Sequence, residues 1–200
     1  MIKYPDGRQY QKKETKKRST NIDKAELSLS AANRGMDLEH DINLSNEYYN
    51  EKGIALIYKR PTPINIVKVD YTHGAKITSA YFEEQSTTDY NGIYKGRYVD
   101  FEAKSTKSKT SFPLANITQH QIEHLKKVNK QGGIAFFIIQ FEKHEKVFLL
   151  DSVYVIDFYE NGKRKSIPYE DVLKHGIEIK KGYNPRLYYI DAIEQQYFQK

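Results

Sequence analysis

The stretch TTDYNGIYKGRYVDFEAK, running from Thr87 to Lys104, decides how the rest of the chain is read. Its second half alternates. Val99, Phe101 and Ala103 fall on one face of an extended segment, and Tyr98, Asp100, Glu102 and Lys104 fall on the other. Glu102 and Lys104 would then point the same way, roughly 6–7 Å apart at their Cα atoms. Asn91-Gly92 and Lys95-Gly96 have the composition of a tight reversal between strands, and a hairpin closed through them would bring Asp89 beside Glu102. Two facing carboxylates repel, but a divalent cation keeps both ionised. Mg²⁺ prefers oxygen ligands and retains waters, leaving room for a phosphate oxygen and a hydroxide nucleophile. Lys104 would then stabilise charge that builds on the phosphorus centre or help orient the water. A plainer reading fits the same residues: Asp89 caps a turn, and Glu102 with Lys104 forms a surface i,i+2 pair. Spacing alone favours the plainer one.

The rest of the chain limits these readings. At 200 residues it can build one sizeable core, for which a single α/β or α+β domain is the natural expectation. Its hydrophobic fraction of 38% is low, but 17 Tyr and 9 Phe supply buried area and argue against a wholly disordered chain. There is no Cys, which excludes disulfides, thiolate metal sites and thiol catalysis. The first residues carry no apolar signal core and no apolar run approaches ~18 residues, so a cytoplasmic protein without a membrane partner is expected. The net charge of +6 is concentrated at the N-terminus, where residues 1–34 hold nine basic side chains against four acidic ones. A flexible basic arm over residues 1–32, without apolar periodicity, suits either a polyanionic partner or a solubilising role.

Beyond the arm, Leu38, Ile42, Ser45 and Tyr49 recur at helical spacing, ending near Gly53. Ile54 to Tyr58 reads as a short strand, after which Pro61 and Pro63 keep the chain extended. Two strands, Ile64 to Tyr71 and Ile77 to Phe82, meet around His73-Gly74, and Lys59, Arg60, Lys68 and Lys76 make this excursion basic. In the second half, Ile134 to Phe141 and Val147 to Phe158 read as a strand pair. The unbroken Ile134 to Ile139 suits a strand buried on both faces. Asn161-Gly162 reads as a further reversal, and a last helix spans Asp191 to Phe198.

The run from Ser86 to Lys104 resembles the signature of the RecU-type Holliday junction resolvases of low-GC Gram-positive bacteria. Further blocks agree in order and spacing: Asn33 to Met36, Leu38-Glu39, Lys59 to Pro63, Lys109 to Leu114 and His120 to His124. The resemblance extends from about residue 33 to the C-terminus. It implies an α/β, restriction-endonuclease-like fold: a mixed central sheet flanked by helices, in a nuclease domain over 33–200, with a protruding stalk of two extended segments at about 61–85. It also implies Mg²⁺, with Mn²⁺ able to substitute, bound by Asp89 and Glu102 with Thr87 and Gln121 completing the set, and Lys104 as transition-state stabiliser. Thr88 stands before the first Asp where the wider superfamily has Pro. Implied partners are four-way junction DNA and a second copy of the chain, with Arg34, Lys59, Arg60, Lys68 and Lys76 as candidate DNA contacts. Recombinase contact through the arm is less securely implied.

Several residues carry more than one reading. Gln121 fits a capping box with Thr118, and without the resemblance that reading leads. Thr87 could simply satisfy its turn. Glu39 and Asp100 are supporting candidates, Glu39 equally a solvated acid in a first helical turn and Asp100 an outer or surface group. His120 to His124 matches the H-x-x-E-H pattern of zinc proteases. That reading leaves the Asp, Glu and Lys set and the basic arm unexplained, so the two histidines are expected to face DNA or pack beside the site. Other functions compatible with the chain are a restriction-like endonuclease on linear duplex and a non-catalytic architectural DNA-binding protein.

Overall fold

The computed structural model describes residues 38–82 and 87–199. The arm expected over residues 1–32, Arg34, and the end of the expected stalk at 83–85 lie outside these residues. Helix α1 spans 38–51, and the four positions expected to share its inner face, Leu38, Ile42, Ser45 and Tyr49, are all buried. Strand β1 (Leu56–Lys59) follows, then β2 (Ile64–Asp70) and β3 (Lys76–Phe82), β4 (Tyr90–Tyr94) and β5 (Arg97–Thr106). A short β6 (Ser111–Pro113) leads to α2 (Gln119–Lys130), β7 (Ile134–Phe141) and β8 (Lys146–Asp151). The chain closes with α3 (Ser152–Asn161), β9 (Ser166–Pro168), α4 (Tyr169–His175), β10 (Ile177–Glu178) and α5 (Tyr189–Tyr197).

Six strands form the central sheet in the order β1-β4-β5-β7-β8-β10. Only β5 and β7 run parallel, as they must when a crossover containing α2 joins them. The sheet is therefore mixed α/β, as expected. Both of its faces are covered. Val99, Phe101 and Ala103 of β5 and Ile134, Phe136 and Ile138 of β7 pack into a cluster with Leu38, Ile42 and Tyr49 of α1 and Ile190 and Ile193 of α5. The opposite residues of β7, Ala135, Phe137 and Ile139, pack under Ile122, Leu125 and Val128 of α2 and Val155 of α3. Tyr90, Phe101 and Phe136 are cross-strand neighbours on the first face. They stack with centroid separations of 4.8 and 4.7 Å, each contact contributing about 0.5–1.5 kcal/mol beyond its area.

The β4–β5 hairpin turns at Lys95 and Gly96, whose φ angles of 46° and 74° are both positive, as a two-residue type I′ turn requires. Asn91-Gly92, the other expected reversal, lies inside β4 instead. Gly92 is needed there because a Cβ would fall 2.0 Å from the Leu56 carbonyl oxygen of the paired strand.

Val147 to Phe158 is not one strand. It stops at Asp151, whose side chain accepts a hydrogen bond from Val153 N at 2.7 Å and opens α3. The run that suggested a strand buries Ser152, Val155 and Ile156, an i, i+3, i+4 set on one helical face. Asn161-Gly162 is accordingly the end of a helix. β2 and β3 pair only with each other, with a register irregularity around Lys68, and every residue of the two strands except Val69 is exposed. Among the described residues no helix is long and apolar enough to cross a membrane.

Candidate active site

β5 crosses from apolar to polar company on the α2 side of the sheet. There Asp100, Glu102 and Lys104 take the places that Ala135, Phe137 and Ile139 take on β7. The β4–β5 register sets Tyr90 opposite Phe101, so Asp89, one residue earlier, stands beside Glu102. The hairpin thus performs the juxtaposition read from the sequence: Asp89 N donates to Glu102 Oε2 at 3.1 Å.

Glu102 is only 1% exposed. Lys104 Nζ lies 2.6 Å from its Oε1. That contact is an ion pair without hydrogen-bonding geometry, and Oε1 is otherwise buried without a donor. Burial pushes the Glu102 carboxyl up to about 8, with Lys104 opposing the shift and Asp89 adding to it. A buried carboxylate oxygen whose one close partner is an ammonium, next to a second carboxylate, is a place where a divalent cation would fit. Among the described residues no three His, Asp or Glu side chains converge into a ligand set. A cation here would be held by Asp89 and Glu102 with neutral oxygens and water, which suits Mg²⁺ better than zinc.

Asp100 is the centre of a second constellation on the same face. Fully buried, it accepts from Arg60 Nη2 at 2.6 Å, Tyr98 Oη at 2.8 Å and His124 Nε2 at 2.9 Å through Oδ2, and from Thr88 Oγ1 through Oδ1. Burial alone would raise its carboxyl. The bonds from His124, Thr88 and Tyr98, and the Arg60 charge, hold it below the ordinary carboxylate value. Asp100 is therefore no surface group, and His124 is paired with it rather than with a neighbouring histidine. Tyr98 and Asp100 announce themselves by sharing the face of Glu102. Nothing in the sequence marks Thr88 or His124 as their partners.

The remaining candidates are placed as follows. Glu39 pairs with Lys59 across α1 and β1, and its carbonyl accepts from Tyr90 Oη at 3.3 Å. Gln121 is buried and closes the capping box: Thr118 N donates to its Oε1 at 3.1 Å, and its own N donates to Thr118 Oγ1 at 3.4 Å. Thr87 is half-buried, two residues before Asp89. Lys68 and Lys76 lie on the exposed hairpin. Arg60, expected at the DNA surface, turns inward, and its side chain is only 17% exposed.

A mixed sheet with helices on both faces, carrying a glutamate and a lysine on a central strand with an aspartate set beside them from the start of the next strand over, has the architecture of an α/β nuclease. The profile of the family described as Recombination protein U matches residues 33–195. The chain belongs to that family. It is 49% identical to the Holliday junction resolvase RecU of Geobacillus sp. (strain WCH70), over 99% of this chain and 98% of that one. To the Holliday junction resolvase RecU of Bacillus cereus (strain AH820) it is 48% identical, over 98% of each. Among solved structures, the Holliday junction resolvase Hjc of Archaeoglobus fulgidus superposes with a TM-score of 0.43 at 12% identity, covering 72% of this chain and 94% of that one.

Proposed function

We propose that this chain is a Mg²⁺-dependent, structure-selective endonuclease that resolves four-way DNA junctions by symmetric paired cuts, acting as a cytoplasmic homodimer in homologous recombination and repair. The observation that carries the proposal is the Asp89–Glu102 pair, with the buried Glu102 carboxylate 2.6 Å from the Lys104 ammonium. Full-length identity of 49% and 48% to proteins named as junction resolvases supports the substrate.

Asp89 and Glu102 would hold the cation, with oxygens of Thr87 and Gln121 as the neutral complement. The Gln121 oxygen, already accepting from Thr118, would use its second lone pair. When bound, the cation supplies Lewis-acid polarisation of a phosphate oxygen and a water of lowered pKa. Glu102 would release its proton to solvent as the cation binds, because burial disfavours its charge by more than the neighbouring Lys104 offsets. Lys104 keeps an ammonium beside the scissile phosphate, where transition-state charge grows. With water as nucleophile and no covalent intermediate, the products carry 5′-phosphate and 3′-hydroxyl ends. Two-fold symmetry presents two such sites to strands that are themselves related by symmetry. The exposed β2–β3 hairpin is the stalk that enters the junction, with Lys68 and Lys76 toward phosphates.

Incubation of the protein with a synthetic junction and a matched linear duplex, in Mg²⁺, Mn²⁺ or EDTA, tests this. Metal-dependent paired nicking of the junction is expected. Cutting of duplex alone, or tight junction binding without cutting, would replace the proposal with a duplex endonuclease or an architectural protein respectively.

A further inference from the structure

Asp89 carries half of the cation pair, yet it precedes β4 and is not itself a strand residue. Something else must fix its backbone, because the carboxylate inherits any freedom of the peptides on either side. Arg60 meets both of those peptides. Its backbone N donates to Asp89 O at 2.7 Å, extending the β1–β4 ladder by one rung beyond the Lys59–Tyr90 pair. Its Nη1 lies 3.3 Å from Thr88 O and 3.1 Å from Thr88 Oγ1. Its Nη2 donates to Tyr98 Oη at 2.7 Å and Asp100 Oδ2 at 2.6 Å.

The four hydrogens on the two Nη atoms thus have four acceptors within the protein, which leaves a phosphate the single Nε hydrogen of a side chain only 17% exposed and no bidentate fork. Swinging Arg60 outward would also break its ion pair with a fully buried Asp100. Asp100 is equally committed. Four donors occupy its two oxygens, about the number of lone-pair sites a carboxylate offers. The planar guanidinium fork spans Thr88 on one side and Asp100 on the other in a way an ammonium cannot copy.

We infer that Arg60 and Asp100 form a positioning clamp on the Thr88–Asp89 backbone, which holds the Asp89 carboxylate in register with Glu102, and that Arg60 makes no phosphate contact. The inference rests on the reading of Asp89 and Glu102 as a cation pair. Asp100 and Arg60 touch neither substrate nor cation; they act through Asp89. Tyr98 and His124 complete the clamp from β5 and α2, tying the site's first segment to the sheet and to the crossover helix.

The test compares the full-length protein with Arg60→Lys and Asp100→Asn, both conservative enough to fold, as circular dichroism melting would establish. Four quantities are read: Mn²⁺ affinity without DNA, by calorimetry; junction affinity in EDTA against salt; single-turnover cleavage at saturating junction; and amide exchange at Thr88 and Asp89. The clamp predicts that junction affinity stays within about twofold with an unchanged salt slope. Mn²⁺ binding should weaken, cleavage should fall on the order of 10²-fold, as small misplacements do, and the two amides should exchange faster. The double variant should be little worse than the worse single one. A shallower salt slope and weaker junction binding in Arg60→Gln, which unlike Arg60→Lys removes the charge, with normal Mn²⁺ binding and cutting, would make Arg60 a phosphate contact and overturn the clamp. Unchanged amide exchange would also overturn it. Should the unaltered protein bind no Mn²⁺, the cation reading of Asp89 and Glu102 fails on its own, while the exchange measurement still decides the clamp.

Discussion

β5 and the β2–β3 hairpin are written in similar sequence, yet they live in opposite surroundings. Both alternate apolar with polar residues and carry lysine. In β5 every residue from Val99 to Ala103 is buried, with rings stacked on one side and two carboxylates enclosed on the other. In the hairpin Ile66, Tyr81 and Phe82 stand in solvent, Phe82 at 78% exposure. Alternation tells which residues share a face; neighbouring elements decide whether that face is covered. The covered strand can hold groups still for chemistry, whereas the uncovered pair has apolar and basic surface left for a partner.

The largest test of this contrast lies in β5 and the segment facing it. Asp89→Asn and Glu102→Gln should each lower junction cleavage about 10³-fold or more, equivalent to ~4 kcal/mol of barrier, with binding in EDTA nearly unchanged. A near-normal rate in either variant would remove that residue from the site. The second test sets one residue type in both surroundings. Phe101→Ala should cost about 3–5 kcal/mol of stability, and Phe82→Ala less than about 0.5 kcal/mol; similar shifts in urea midpoint would erase the distinction.

The third concerns pH. The Glu102 carboxyl is raised in the folded chain from 4.5 to about 8, so the native state holds a proton that the unfolded state releases. Stability without metal should therefore be full below about pH 4.5 and fall as pH rises toward about 8. The loss is on the order of a few kcal/mol. Glu102→Gln should flatten that part of the profile, and denaturation curves across the range measure it. The smallest effect belongs to the hairpin. Lys68→Gln and Lys76→Gln should each reduce the salt slope of junction binding by about one while leaving the melting temperature in place. Unchanged slopes would mean that these lysines touch no phosphate.

The facing of Asp89 and Glu102 was legible in the sequence through the period-2 alternation of β5, and the enclosed β7 through its unbroken apolar run, while the mixed sheet was implied by the family resemblance. Asn91-Gly92 misled because an Asn-Gly pair marks a turn by composition, whereas here the glycine answers to the neighbouring strand, invisible without the fold. α3 was read as strand because β-branched residues fit both states, although Asp151-Ser152 carried a helix-start signal. Arg60 was read as a DNA contact because sequence displays a charge but not its partner. The partners of Asp100 come from positions 60, 88, 98 and 124, four places that no local pattern links.

The turn at Lys95 and Gly96 gives the site a rule of length. β5 is fixed by its long parallel pairing with β7, so one residue added to that turn would slide β4 by a single step against it. Tyr90 would leave the ring stack, and Asp89 and Glu102 would fall on opposite sides of the sheet. A second added residue would restore the face but leave Asp89 two residues, roughly 6–7 Å, out of register with Glu102. Across descendants of this chain, any change in the length of that reversal that slides β4 should therefore mark copies that have lost cleavage.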